Sequence, residues 1–432
     1  MAGCKYCIAP LDLTSIINGY LKWEHSYASI RISEYDELIS WLDMMYGSLL
    51  DLDPQWSLER AREEINEDKA AGPPYNDLIG RSKGEVLNKM TDQELLDDFK
   101  NFSHYCNATL KDELREKSKD ARLFIPANVV MVFVGLYLFG AQNDAIMEAH
   151  CEKPIKIGMQ TPGREAANFW KKVKMSEGEY HQYDGVQSDA HFSSEVACII
   201  RDFRKKHLHK KFHKMVDRYY AMTYNMDVNF CGAIVELVGQ QTGQTNTATD
   251  NSLGYLIVLM LHAIRNKVSY FDFEDMFTAV MGDDMLLVDN LGCFGPMELE
   301  TTFNSLGMYI EAPAVSEEFY DLTFVGMHPE RREVAGQMYD LYSYRLERLW
   351  ESQNFMQKAA TPSDRLQKLI SLSTLIFGNK SQFERMREIA FNYAKEARHC
   401  LTYQDISQLG MLDDTWQLNL HSGFEPSRFR GF

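Results

Sequence analysis

Apolar positions along this chain fall into three kinds of pattern. Val196, Ile199, Ile200, Phe203, Phe212, Met215 and Val216 recur at roughly three-and-four spacing, which predicts an amphipathic helix over residues 193–216. Residues 30–66 and 82–105 read as helices with acidic faces, and helical patterns dominate beyond residue 336, as at Leu366, Leu369, Ile370 and Ile376. The second kind is one long apolar run, "LFIPANVVMVFVGLYLFGA", from Leu123 to Ala141. Pro126 and Asn128 interrupt it, and its clean part is shorter than a membrane span requires, so a buried helix is expected and no transmembrane segment. The opening "MAGCKYCIAP" has no apolar run of signal length. The third kind is a pair of short apolar runs around a turn, "TAVMGDDMLLVDN", from Thr278 to Asn290. Phe277 to Met281 and Met285 to Val288 are predicted to be the strands of a hairpin, with Gly282 supplying the positive φ of its turn.

That turn carries two adjacent acids, Asp283 and Asp284, between segments that look buried. Burying one carboxylate is costly, and two side by side cost more. A doublet alone fits an ordinary polar turn, and doublets also occur at Asp97–Asp98 and Asp413–Asp414, in helix-like or loop-like surroundings. A second acidic stretch, "YHQYDGVQSDAHFSSE", changes the picture. Asp184 would close a short strand there, and Asp189 would follow a turn and precede the helix that starts near Ser193. Two such strands side by side would bring Asp184 next to Asp283. Carboxylates so placed repel unless a cation neutralises them, and Mg²⁺, which favours oxygen ligands and substrate phosphates, fits. Two such ions can activate an attacking hydroxyl and stabilise leaving pyrophosphate. Between the acidic stretches, "GQQTGQTNTATDNSL" is a glycine-containing loop, with Gly243, that runs into an apolar helix. Thr247 and Asn251 are four apart and share a helix face, from which both could bond a sugar hydroxyl or simply cap the helix.

Composition sets the outer limits. At 432 residues, 45% hydrophobic and 25% charged, the chain is globular and long enough for two or three packed units. No repeat, low-complexity tract or long linker divides it, so interleaved domains are expected. The net charge of −17 argues against coating nucleic acid by bulk attraction, though not against a local basic channel. Two basic segments stand out: Lys111 to Arg122, and Arg201 to Lys214 with seven Lys or Arg against one Asp. The second would either line a nucleic-acid path or be a solvated outer face, and the solvated face is the reading preferred. Of eight cysteines only Cys4 and Cys7 have metal-like spacing, and free thiols are the simpler reading.

Acid-x4-acid, then a glycine loop with Thr and Asn, then Gly-Asp-Asp, resembles the RNA-dependent RNA polymerases of positive-strand RNA viruses, most of all the picornavirus-like supergroup. The "TDN" ending of the glycine loop is similar to the astrovirus and potyvirus pattern. "DKAAGPPY" resembles the template-entry loop of that family, "LKDELREKSKDAR" its basic fingers strand, and "DLTFVGM" its primer-grip hairpin. The resemblance extends over most of the chain. It implies an α/β right-hand fold: fingers in residues 1–150, a palm bearing an antiparallel sheet in 151–224 and 242–335, a fingers insertion at 225–241, and a helical thumb from 336 to 432. It implies that Asp184 and Asp283, supported by Asp284, hold two Mg²⁺ ions, with Mn²⁺ as a substitute. Asp189 and Asn251, with Thr247, would read the ribose 2′-hydroxyl. Arg122, with Lys119 or Lys111, would hold the triphosphate. Gly72 and Pro73 would lie at template entry.

Three departures stand against the family pattern. Thr242-Gly243 replaces the usual Ser-Gly, Met281 precedes Gly-Asp-Asp where tyrosine is frequent, and "LGMYIEAPAVSEEFYD" lacks the usual lysine general acid. His328 is the candidate proton donor in its place. The implied partners are an RNA template, nascent RNA and nucleoside triphosphates, with a protein primer and other viral replication proteins as further candidates. The implied location is the host cytoplasm, in membrane-associated replication complexes. A reverse transcriptase and a catalytically inactive palm-fold RNA-binding protein are the rival readings. Asp189 argues against the first, because a polymerase choosing deoxynucleotides would carry a bulky aromatic residue there. The intact metal-site acids argue against the second.

Overall fold

A computed structural model describes residues 6–8, 11–23, 30–50, 56–101, 105–111, 114–116, 119–230, 232–311, 318–345, 349 and 360–422. Cys4, one half of the metal-like pair, lies outside the described residues.

The long apolar run forms the helix Val129–Glu148, capped by Asn128, whose side chain accepts from the Met131 amide. A stretch through Cys151 is long and apolar enough to cross a membrane, but 67% of its most apolar window is buried inside the protein. Its residues Val130, Phe133, Val134, Leu138 and Phe139 join one large core. The second helix of that core is Thr247–Arg265, in which every residue from Ser252 to Ala263 is buried. A helix buried on all sides needs apolar residues all round, and "LGYLIVLMLHA" supplies them.

Against this core lies a four-stranded antiparallel sheet. Numbered along the chain, β1 is Glu179–Gly185, β2 is Phe277–Met281, β3 is Asp284–Asp289 and β4 is Ile310–Glu311. Their spatial order is β4-β1-β3-β2. One face, with Tyr183, Val280, Met285 and Leu287, packs on the large core. The other, with Ala279, Leu286 and Val288, packs on a second cluster that includes Ala166, Phe169, Trp170 and Val173 of the helix Arg164–Met175. Both faces of β3 are buried, which is why "MLLVD" is continuous and not alternating.

Four sequence expectations need correction. The helix expected over 193–216 is two helices, Ser194–Lys206 and His213–Tyr224, with a break at His207–His209. The segment 30–66 contains the helix Ile32–Leu42, a wider turn at Asp43–Gly47 and the short helix Leu58–Glu63. The helix expected over 82–105 is interrupted after Leu87 and ends at Asn101, and Tyr105–Asn107 is a strand. That strand pairs with Asn225–Phe230, which pairs in turn with Ala233–Val238. The chain beyond 336 starts with a strand, Gln337–Tyr344, paired with Met327–Val334. Apolar residues at Leu341 and Val334 pack there on the helices Pro362–Leu375 and Lys380–Glu396, so tertiary contacts override the local helical pattern.

The basic segment Arg201–Lys214 divides: Lys210, Lys211 and Lys214 are exposed, as on a solvated face, but Arg204 is not. Arg204 is fully buried, with its guanidinium 2.7 Å from Asp250 and bonded to Asn143 and Thr249. Lys205 pairs with Asp217, and Lys206 with Asp43. The local sequence shows only the positive partners, because the acids come from elsewhere in the chain.

Candidate active site

The β2–β3 hairpin turns at Gly282 and Asp283, with φ of 65° at Gly282, the left-handed value that glycine adopts without strain. The register then fixes the acids. Asp284 is directly opposite Asp184, and Asp184 is opposite Glu311 on its other side. The Gly185 amide donates to the Asp283 carbonyl at 3.1 Å, which locks the turn onto the end of β1. Three carboxylates expected to converge do so, at the end of a sheet buried on both faces. Glu311 is a fourth acid that sequence reading did not include; only the strand pairing reveals it.

Their environment disfavours charge. Desolvation, and then the charges of Asp283 and Glu311, push Asp184 up to about 6 although part of it reaches solvent. Desolvation, then Asp184 and Asp283, push Asp284 up to about 7. Arg345, at the end of Gln337–Tyr344, opposes both shifts. Oxygen-only donors, crowded and destabilised as anions, match the demand of a hard divalent cation. Asp184, Asp283 and Asp284 are the residues that could hold one or two such ions.

Two further residues support Asp283. Ser188 donates to its carboxylate at 2.8 Å and is itself 2.8 Å from the Tyr255 hydroxyl. Ser252 Oγ accepts from the Gly282 amide at 2.8 Å, tying the turn to the buried helix. Neither serine stood out in the sequence, although each adjoins a residue that did, Asp189 and Asn251.

Asn251 faces the same turn. A Cβ built on Gly282 would lie 3.8 Å from the Asn251 side-chain nitrogen, Nδ2. The Asn251 side-chain oxygen, Oδ1, is buried and has no hydrogen-bond partner among the described residues. Thr242 Oγ1 in the glycine loop is unpartnered in the same sense, and Gly243 has φ of 71°. Thr247, by contrast, donates to the Gln244 carbonyl at 2.9 Å and so closes its own loop. Asp189 is raised by burial, an effect opposed chiefly by the charge of Arg122, while Asp283 adds to it. The arginine expected at the triphosphate therefore acts electrostatically on the acid expected at the ribose.

Arg122 is exposed and sits beside Lys111, whose amide donates to the Arg122 carbonyl at 2.9 Å. This follows from the pairing of Thr109–Leu110 with Leu123–Phe124. Lys119 is exposed on the connecting segment, of which residues 112, 113, 117 and 118 lie outside the described set. Gly72 and Pro73 are clamped to the start of the helix Val129–Glu148. Asn128 donates to the Pro73 carbonyl at 3.2 Å, and a Cβ on Gly72 would come within 2.9 Å of the Asn128 backbone.

His328 is not brought to the carboxylates by any described hydrogen bond. Its ring is 3.0 Å from Glu330, and Glu330 also accepts from Asn379, which caps Lys380–Glu396. The cation whose charge bears on Asp184 and Asp284 is Arg345.

A search of curated proteins finds no match. Among solved structures, the chain resembles the Sicinivirus 3Dpol RNA-dependent RNA polymerase, with a TM-score of 0.74 at 16% identity. The match covers 94% of this chain and 93% of that one, and at such identity it shows the right-hand fold. The family model for viral RNA-dependent RNA polymerases matches residues 24–367. The chain therefore belongs to the viral RNA-dependent RNA polymerases, enzymes that synthesise RNA on an RNA template.

Proposed function

We propose that this polymerase extends an RNA 3′-end by attack of its hydroxyl on the α-phosphate of a template-selected ribonucleoside triphosphate, releasing pyrophosphate, and so replicates a viral RNA genome. The observation that carries the reading is the pairing of Asp184 with Asp284 beside the Asp283 turn. Asp184, Asp283 and Asp284 would hold the Mg²⁺ or Mn²⁺ ions. When bound in pairs, such ions supply Lewis-acid stabilisation of the attacking and leaving oxygens. Ser188 and Tyr255 orient the Asp283 carboxylate, so ligand geometry is set before nucleotide arrives.

Sugar choice belongs to Asn251 and Asp189. The unpartnered Asn251 side-chain oxygen suits a 2′-hydroxyl donor, and Thr247 fixes the loop that leads into the helix from which Asn251 projects. Arg122 and Lys111, with Lys119, take the triphosphate oxygens by charge-assisted bonds. Gly72 and Pro73 mark template entry. Residues 1–150 and 225–241 would be fingers, 151–224 and 242–335 palm, and 336–432 thumb. A protein primer, other viral replication proteins and a membrane-associated site in the host cytoplasm belong to the same proposal.

Primed RNA and DNA templates, each supplied with ribonucleotides or deoxynucleotides, test the reading. Extension on RNA that prefers ribonucleotides and stops with EDTA is expected. Preference for deoxynucleotides would indicate a reverse transcriptase, and RNA binding without extension would indicate an inactive scaffold.

A further inference from the structure

The helix Val129–Glu148 runs into a tight turn, Ala149–Cys151, and the chain then passes through residues 152–163 to the helix Arg164–Met175. Glu165, in the first turn of that helix, comes back to the turn it left. His150 Nε2 is 2.9 Å from Glu165 Oε2 and 3.3 Å from Cys151 Sγ. The three ligand atoms all lie within 4.8 Å of one another.

The imidazole is oriented from behind. Its Nδ1 is 2.6 Å from the Met147 carbonyl, and a carbonyl can only accept, so Nδ1 carries the proton and donates. With an ion between them, Nε2 would present its lone pair, and Glu165 Oε2 one of its own, to the space shared with the thiol. A ligating histidine held through its other nitrogen by a backbone carbonyl is the usual supporting arrangement around a bound metal. The rest of the turn is also fixed. The Lys172 ammonium donates to the Cys151 carbonyl at 2.8 Å, and that of Lys156 to the His150 carbonyl at 2.8 Å. The Gln160 amide donates to Glu165 Oε2 at 2.6 Å. An imidazolium–carboxylate ion pair would account for His150 and Glu165 alone, but not for the sulfur beside them.

We propose that His150, Cys151 and Glu165 bind a zinc-class divalent cation, at a site separate from the Asp184, Asp283 and Asp284 group. Imidazole, thiolate and carboxylate together suit borderline-soft Zn²⁺, which takes nitrogen, sulfur and oxygen donors. The same thiolate disfavours Mg²⁺, which wants oxygen. Thiolate and carboxylate would neutralise the ion, and water completes a tetrahedral set. Cys151 is exposed and lies with His150, Lys156 and Glu165 on a cavity of about 300 Å³, so an ion has a route in. The cation would clip the end of the long core helix to the start of Arg164–Met175, whose Phe169 and Val173 pack beneath β2 and β3. It would act as a structural staple, and its occupancy does not depend on catalysis.

The test uses the full chain purified without chelator. It is mixed with one equivalent of Zn²⁺ in excess Mg²⁺, desalted and assayed for retained zinc. A parallel Co²⁺ sample is read for thiolate-to-cobalt charge-transfer absorption. The parent should retain about one zinc per chain, show the thiolate band and melt at a higher temperature with zinc than without. Cys151→Ser and His150→Gln, checked for a native circular-dichroism spectrum, should each lose that zinc, the band and the melting shift. Asp283→Ala should keep all three. A parent that retains no zinc overturns the proposal, as does a zinc complement and cobalt spectrum unchanged in Cys151→Ser.

Discussion

At the scale of single residues, the acids announced themselves because their setting is expensive. Asp283 and Asp284 interrupt an apolar run, and no local reason explains them. What surrounds them was hidden, since Ser188, Tyr255, Glu311 and Arg345 come from other parts of the chain. Asn251 was legible as one helix face with Thr247, but the two differ in structure. Thr247 is spent on its own loop, whereas the Asn251 oxygen is unpartnered. Asn251→Ala should therefore lower ribonucleotide use far more than deoxynucleotide use. A hydroxyl left without its buried partner costs about 1–3 kcal/mol, or roughly five- to a hundredfold in kcat/KM selectivity. Equal losses for both sugars would make Asn251 only a helix-start residue. His328 follows the opposite course: the missing lysine pointed to it, and the fold ties it to Glu330. Single-nucleotide addition by His328→Ala should stay within a few-fold of the parent, whereas a loss of about 10²–10⁴-fold would identify it as the proton donor.

At the scale of elements, periodicity located the buried helices and the hairpin that turns at Gly282, and failed where long-range partners decide. The break after Lys206 is one case, and the strand Gln337–Tyr344 is another. The Arg204–Asp250 pair shows why. Read locally, Arg204 belongs to a basic stripe, yet it is fully buried and braces the residue before Asn251. Arg204→Ala would leave Asp250 buried without its partner, which costs about 3–5 kcal/mol. Urea unfolding should show that loss, and the double variant Arg204→Met with Asp250→Leu should recover part of it. If the single variant unfolds with the parent's midpoint, the pair does not brace the helix.

The C-terminal helices carry a pH dependence. His421, in Asp414–Ser422, packs against Tyr342 and Phe377, and burial pushes its imidazole down to about 4. The unfolded chain therefore takes up this proton at higher pH than the folded one. Stability is complete above the unfolded value near 6.5 and is lost as pH falls towards 4, by about 1.4 kcal/mol per pH unit. His421→Gln should remove that increment, read as a shallower fall of urea midpoint with pH than the parent shows. Parallel curves for the two proteins would mean that the imidazole takes up its proton at the same pH in the folded and unfolded chains.

At the scale of the whole molecule, the order of motifs was more informative than any one of them. Acid-x4-acid, the glycine loop and Gly-Asp-Asp lie far apart in sequence; the sheet order β4-β1-β3-β2 brings the two acidic motifs to one end, and Ser252 ties the helix that follows the glycine loop to the same turn. Net charge contributed little, because at −17 the function depends on a local field and not on the total. The central claim is that the acids at this sheet end perform RNA synthesis. Asp283→Ala tests it most directly, by primer extension on an RNA template with ribonucleotides in Mg²⁺, alongside RNA affinity and melting temperature. The account predicts that extension is abolished while RNA affinity is kept and the melting temperature does not fall, since repulsion among the carboxylates is relieved. Extension at the parent rate by a folded Asp283→Ala enzyme would contradict it.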